Sequence, residues 1–214
     1  MNRSTLITLK TITWIACLSP FAMLVYEAVT NKLGPDPTST IALTTGYNAL
    51  LMVILSLAVT PVRALTPRLS WLIKFRRLLG LFAFFYATIH LATYVGLYAN
   101  FNLSIFETDI TKRRFIIAGF CAYILLFPLA ATSTTWAIRK LGGKRWNRLH
   151  KLVYFAAIAG IIHYWWQVKP GVLSPMNLTI VLFVLLMARP VIALVQKRRV
   201  RHSIAVSKLA GTIE

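Results

Sequence analysis

Acidic residues are almost missing from this chain: five Asp and Glu stand against 24 Lys and Arg in 214 residues. Charge of either sign is scarce as well, at 14%, about half the usual share of a soluble domain. That leaves little room for a separate soluble domain. Cysteine is limited to Cys17 and Cys121, each inside an apolar run. No CxxC or CxxCH occurs, which excludes covalent haem attachment and a thiol redox motif; both cysteines read as small core residues. There is no GxGxxG and no P-loop, so the chain carries no nucleotide-binding domain of its own. No internal repeat or low-complexity tract is visible.

What is abundant is hydrocarbon. Hydrophobic residues make up 57% and the mean hydropathy is +0.67, the mark of an integral membrane protein. Six apolar segments approach the ~20 residues a membrane helix needs: about 9–28, 42–62, 78–98, 115–137, 150–167 and 176–195. They predict an all-α, six-transmembrane-helix bundle over 1–196, followed by a basic tail over 197–214. The first run has a basic start but is long, contains Pro20 and lacks a small-x-small cleavage site. A retained helix is therefore expected rather than a signal peptide. Turn residues punctuate the connections: Gly34-Pro35-Asp36-Pro37, Gly142-Gly143 and Lys169-Pro170-Gly171.

The net charge of +19 would suggest nucleic acid in a soluble protein. Here the cations gather at the ends of apolar runs, which is a topology signal. With the N-terminus in the cytoplasm, the inner face receives Arg3 and Lys10. It also receives Arg63, Arg68, Lys74, Arg76 and Arg77, then Arg139, Lys140, Lys144, Arg145, Arg148 and Lys151. The tail adds Lys197, Arg198, Arg199, Arg201 and Lys208. The outer face keeps Lys32, Lys112, Arg113, Arg114 and Lys169, with the acids Glu27, Asp36, Glu107 and Asp109. Both termini are placed in the cytoplasm, and the tail is expected to meet anionic lipid.

Three histidines lie in otherwise apolar segments: His90, His150 and His163. An ionisable ring in hydrocarbon is costly and marks a functional site by default, and imidazole is a common axial ligand of haem iron. From a helix start near Leu78, His90 is ~18 Å along; from His150, His163 is ~19 Å along. His90 and His163 thus share a level in the outer half, on separate helices. Read singly, each could equally be a polar residue bonded to a backbone carbonyl; a depth-matched pair favours a haem held between two helices. Ala87, Ala159 and Gly160 lie one turn away; they either leave space for a flat macrocycle or simply let helices approach closely. Two axial imidazoles fill the iron coordination sphere, so the chemistry expected is one-electron transfer. At the outer face Lys112, Arg113, Arg114 and Lys169 either neutralise haem propionates or form a solvated loop with Glu107 and Asp109.

His150 sits at the membrane boundary beside Arg148 and Lys151. The facing positions on the third helix are Arg76 and Arg77, and neither is an ordinary iron ligand. A second haem held by two histidines therefore cannot be assembled there; an inner relay is either a haem on His150 or a flavin near Arg76 and Arg77. His202 in the tail reads as solvated. Trp165, Trp166, Trp136 and Trp146 read as aromatic belts.

The run Arg76-Arg77-Leu78-Leu79-Gly80-Leu81 leading to Tyr86 and His90 is familiar. So are Thr132-Ser133, Trp136, and Leu141-Gly142 with Trp146, Leu149-His150-Lys151-Leu152-Val153-Tyr154 and His163-Tyr164. Over about residues 8–195 the chain resembles the haem-binding membrane subunit of bacterial periplasmic protein-methionine-sulfoxide reductase systems, within the ferric-reductase-like transmembrane superfamily. The resemblance implies a multi-pass inner-membrane protein with b-type haem, one or two, on His90, His163 and His150, and an associated FMN. It implies a cytosolic flavin reductase or quinol as electron source and a periplasmic molybdopterin-dependent catalytic subunit as acceptor, which repairs oxidised methionine in proteins. No nucleic-acid partner is implied, and the chain is an electron-transfer subunit rather than the catalytic one. The wider superfamily often has two histidines on the third helix, where this chain has one. The competing readings are a stand-alone transmembrane ferric or metal reductase, and a small transporter or scaffold with structural histidines and no haem.

Overall fold

The structure, a computed structural model, describes residues 2–167 and 175–210, the side chains of 199–210 excepted. Lys169 and the turn Lys169-Pro170-Gly171 lie outside the described residues, as do the side chains of His202, Arg199, Arg201 and Lys208. Among the described residues the secondary structure is helical throughout. Helices α1 (Arg3–Val29) and α2 (Pro37–Leu65) come first. Next, α3 (Ile73–Thr93) is entered through a 3-10 turn (Pro67–Leu72) and left through a π-helical turn (Tyr94–Tyr98). Helices α4 (Leu103–Lys112), α5 (Arg114–Ala131), α6 (Thr135–Leu141) and α7 (Gly143–Leu149) follow. The last are α8 (Leu152–Gln167) and α9 (Met176–Ala210).

Five helical stretches are long and apolar enough to cross a membrane: α1, α2, Pro67–Tyr98, α5 and Met176–Arg198 within α9. The sixth segment, expected over 150–167, is the 16-residue helix α8; at 1.5 Å per residue it is about 24 Å long. Two connections hold helices that hydrophobic runs alone do not reveal. The one between the third and fourth segments contains α4. The fourth segment stops at Ala131 instead of 137, because Thr132, Ser133 and Thr134 close α5 and Thr134 caps α6 through its side chain. Gly142 then takes φ +73° between α6 and α7, a conformation glycine adopts at no steric cost.

Two antiparallel pairs make the core. In α2–α3, Ser56 Oγ donates to Arg76 O at one end and His90 meets Ala42 O at the other. In α5–α8, Thr132 meets His150 at one end and His163 meets Phe115 O at the other. The pairs abut where Phe84 stacks on Tyr123 and Gly160 packs on Leu50. Leu57, Ala83, Tyr86 and Thr45 are fully buried at the α2–α3 seam, while Ile15, Ile124, Phe127, Phe155 and Phe183 point outward, as lipid-facing side chains do.

Prolines lie inside four of these helices, at Pro20, Pro61, Pro128 and Pro190, and neighbouring groups repair two of the breaks. Pro20 has no N–H for Ala16 O, and Ser19 Oγ donates to that carbonyl instead. Tyr86 Oη enters the same bend, donating to Cys17 O at 2.7 Å and accepting from Phe21 N at 3.2 Å. Pro61 leaves Leu57 O without its helical partner, and Arg189 Nη2 reaches across from α9 to donate to it at 2.8 Å. Such repair is what makes proline tolerable in a spanning helix, where no water is present to pair the freed groups. Cys17 is a core residue, as expected; Cys121 is exposed on the flank of α5, which corrects the expectation that both are core.

Candidate functional site

The histidines of the two pairs face one another. His90 on α3 and His163 on α8 stand with ring centroids 5.8 Å apart and planes at 84°. Each ring is fixed from behind. His90 Nδ1 lies 2.9 Å from Ala42 O and His163 Nδ1 lies 2.7 Å from Phe115 O. A backbone carbonyl only accepts, so each Nδ1 carries the proton and each Nε2 keeps its lone pair. This is the orientation a metal-ligating histidine needs, its second nitrogen held by an outer partner.

The two halves are built alike. In each, the accepting carbonyl precedes its histidine by 48 residues, and a glycine stands one helical turn after that carbonyl: Gly46 on α2 and Gly119 on α5. A Cβ on Gly46 would lie 3.0 Å from His90 Nδ1 and Cε1; one on Gly119 would lie 2.8 Å from His163 Nδ1. The glycines let each imidazole lie against the neighbouring backbone. The chain thus has a structural repeat that its sequence does not display.

Between the pairs lies a cavity of about 600 Å³, within the range of small-molecule and cofactor sites. His90 and His163 line it, with apolar walls from Leu50, Val53, Leu126 and Ala156. Ala87 and Gly160 line it too. At its polar margin are Tyr94, Tyr98, Gln167 and Arg113. Arg113 Nε pairs with Asp109 Oδ1 at 3.2 Å, and Tyr94 Oη donates to Asp109 Oδ2 at 3.2 Å. Arg113 therefore pairs with Asp109 and also borders the cavity. Lys112 and Arg114 are exposed and do not line it.

His150 is elsewhere. Its ring stacks on Trp146 with centroids 3.8 Å apart, and its Nε2 lies 3.2 Å from Thr132 Oγ1. Trp146 Nε1 donates to Thr132 O, so this tryptophan braces the α5–α8 end rather than forming a belt. Trp165 is also tied in, donating to Thr179 Oγ1 on α9. Arg76 is half-buried and Arg77 exposed at that same end, outside the cavity lining. Among the described residues no three His, Cys, Asp or Glu side chains converge, so the imidazole pair stands without the further ligands of a structural zinc site.

Residues 41–161 match the family model of the ferric reductase like transmembrane component. The chain is 45% identical over 159 residues to the protein-methionine-sulfoxide reductase heme-binding subunit MsrQ of Herminiimonas arsenicoxydans, covering 74% of this chain and 72% of that one. It is 42% identical over 190 residues to the MsrQ of Xanthomonas axonopodis pv. citri, covering 86% of each. It belongs to the MsrQ family. A third member, from Brucella anthropi, is 47% identical over 150 residues, or 70% of this chain and 67% of its own. The family-model match runs from α2 into α8, takes in Gly46, His90 and Gly119, and ends two residues before His163.

Sequence reasoning finds the histidines and offers the Arg113–Asp109 pairing but misses Gly46, Gly119 and the place of Tyr94 beside Asp109. The signal available for the glycines is their spacing. Each lies 44 residues before its histidine in the numbering, a coincidence that acquires meaning only once the helices are paired.

Proposed function

We propose that this chain is a haem-binding subunit of a methionine-sulfoxide reductase system, passing electrons across the bacterial inner membrane to a periplasmic molybdopterin-dependent partner. One observation carries the reading: two imidazoles face each other across a cavity with Nδ1 anchored and Nε2 free. A metal–imidazole bond is about 2 Å, so two imidazoles gripping one ion in line have ring centres roughly 6 Å apart. The observed 5.8 Å fits. When bound between two histidines, a b-type haem supplies one-electron transfer with no open coordination position.

The chain's own residues supply the rest. Ala42 O and Phe115 O fix the tautomer and raise the basicity of the rings. Leu50, Val53, Leu126 and Ala156 keep water away. Arg113, held by Asp109, offers a cation at the margin for carboxylates. His150 is the candidate for an inner ligand: it would exchange Thr132 Oγ1 for a metal, and Arg76 and Arg77 opposite have no lone pair to offer. FMN rests on the resemblance, since Arg76 and Arg77 stand outside the cavity. In this reading α8 is the sixth span, both termini are cytoplasmic, and a cytosolic flavin reductase or a quinol supplies electrons.

The test is an absorption spectrum with a haem-to-protein ratio on pure protein from haem-replete cells. A Soret band, a reduced α band and at least one haem per chain are expected; colourless protein ends the reading. The family-model match favours a second reading, a stand-alone reductase of ferric chelates. Reduction of such chelates by the pure, pre-reduced protein, at rates unaffected by adding the catalytic partner, would favour it instead.

A further inference from the structure

One buried carboxylate touches both histidine-bearing hairpins. Asp109 on α4 is 8% exposed, the one acidic side chain buried among the described residues. Its Oδ2 accepts from Tyr94 Oη at 3.2 Å, and its Oδ1 pairs with Arg113 Nε at 3.2 Å. Tyr94 belongs to the α2–α3 hairpin. It follows His90 by one helical turn, and its backbone N–H donates to His90 O. Arg113 opens the α5–α8 hairpin. It is the N-cap of α5 and stands two residues before Phe115, whose carbonyl holds His163 Nδ1. Each arm of the carboxylate therefore ends within about a turn of a residue that carries or anchors one of the two facing imidazoles.

The chain takes a costly route to bring Asp109 back to Tyr94. After the π-helical turn it passes through Asn100 and Phe101, at φ +47° and +56°. That left-handed conformation is rare for a bulky side chain. Such strain persists where surrounding contacts over-determine it, often at functional sites. Those contacts are present here. Phe101 N donates to Val95 O, and Asn102 caps α4 by accepting from Ser104 N. The ring of Phe106 on α4 lies 6.4 Å from that of Tyr94 and 5.1 Å from that of Phe120, and Tyr94 lies 6.2 Å from Phe120. Phe120 directly follows Gly119, the glycine against His163. An aromatic triangle thus joins the same two hairpins through α4.

We propose that Asp109 is a positioning residue, a clasp that holds the α2–α3 and α5–α8 hairpins at the spacing His90 and His163 need. This rests on the reading that those imidazoles grip one haem. Two axial imidazoles must reach one iron from opposite sides, so the separation of the hairpins decides whether the second ring arrives. With the clasp closed, the rings are opposed before haem enters. With it open, haem has to draw the hairpins together, and binding loses the benefit of that prior ordering. Asp109 does not line the cavity; it acts through Tyr94 and Arg113, which do.

The experiment uses the full chain in detergent and has two readouts. Haem loss is timed by transfer to excess apomyoglobin. Asp109→Ala should lose haem about ten-fold faster than wild type, as removal of a hydrogen-bonded charge implies. Tyr94→Phe keeps the Arg113 arm and the aromatic triangle, so it should fall in between, and it tests the clasp even if Asp109→Ala misfolds. Adding Tyr94→Phe to Asp109→Ala should cost nothing more, because the partner is already gone. Glu107→Gln, on the exposed side of α4, should match wild type. The second readout needs no haem. Nitroxides on Ala92→Cys and Ile117→Cys, both exposed, on α3 and α5, with Cys121→Ser removing the exposed native thiol, report the spacing by dipolar electron resonance. The distance distribution should be narrow in the haem-free parent and wider with Asp109→Ala or Tyr94→Phe. Wild-type haem retention in both variants, additive losses in the double variant, or an unchanged distance distribution overturns the clasp. Wild type that binds no haem ends the haem reading instead, and the distance distribution then decides the clasp alone.

Discussion

Replacing Gly119 by Ala tests the imidazole grip without touching a ligand. The new Cβ would sit 2.8 Å from His163 Nδ1 and 2.9 Å from Cε1, where ordinary contact begins at 3.4 Å. The ring must therefore retreat from α5 by about 0.6 Å. Its Nδ1 is bonded to Phe115 O on that same helix at 2.7 Å, so the retreat stretches this bond to about 3.3 Å, the edge of useful geometry. Losing it costs about 0.5–1.5 kcal/mol, and turning the ring off its rotamer a similar amount. The total, about 1–3 kcal/mol, corresponds to about a 5- to 150-fold loss of haem affinity. Helix propensity acts in the opposite direction: Ala in place of a helical Gly is favoured by up to about 1 kcal/mol. The gain offsets only part of the cost, so the apo-protein should melt up to a few degrees lower than wild type while haem titration shows weaker binding. Gly46→Ala, with its contact at 3.0 Å, should show the same effect in milder form. Gly143→Ala, with nothing within 4 Å, should show none. Unchanged haem affinity and spectrum in Gly119→Ala would refute the close-packed ligand geometry.

Three further outcomes follow from the same contacts. His90→Ala and His163→Ala should each abolish a low-spin haem spectrum; full retention in either removes that residue as an axial ligand. His150→Ala should leave the outer pair's spectrum in place, and any fall in the haem-to-protein ratio then counts a second haem; an unchanged ratio strikes His150 from the ligands. Tyr86→Phe strands Cys17 O and Phe21 N in the α1 bend and should destabilise the fold by about 1–3 kcal/mol; chemical denaturation with unaltered stability would show the bend repaired another way.

Hydropathy makes the spanning segments legible because lipid-facing and core-facing residues are both apolar, so a run of the right length is visible whichever way it packs. The same property hides which face is which: Cys121 reads like Cys17, yet one is exposed and the other buried. Short helices such as α4, α6 and α7 escape because capping by Asn102 and Thr134 and the turn at Gly142 decide them, not apolar length. The level shared by His90 and His163 is legible from the 1.5 Å rise. That their rings face each other is not, because it depends on which helices pair, and the sequence contains no sign that α2 backs α3 as α5 backs α8.

The repeated geometry also explains why the two ends of the bundle differ. Each hairpin offers a carbonyl, a glycine and a histidine at matching positions, so at one level the pairing of hairpins automatically opposes two imidazoles. Thirteen residues before His163 stands His150, just ahead of α8; thirteen before His90 stands Arg77 on α3. The repeat that opposes two imidazoles at one level therefore offers one imidazole and an arginine position at the other, and a guanidinium cannot donate a lone pair to iron. With His150 turned to Trp146 and Thr132, the repeat that places two imidazoles face to face at one level leaves a single imidazole at the other.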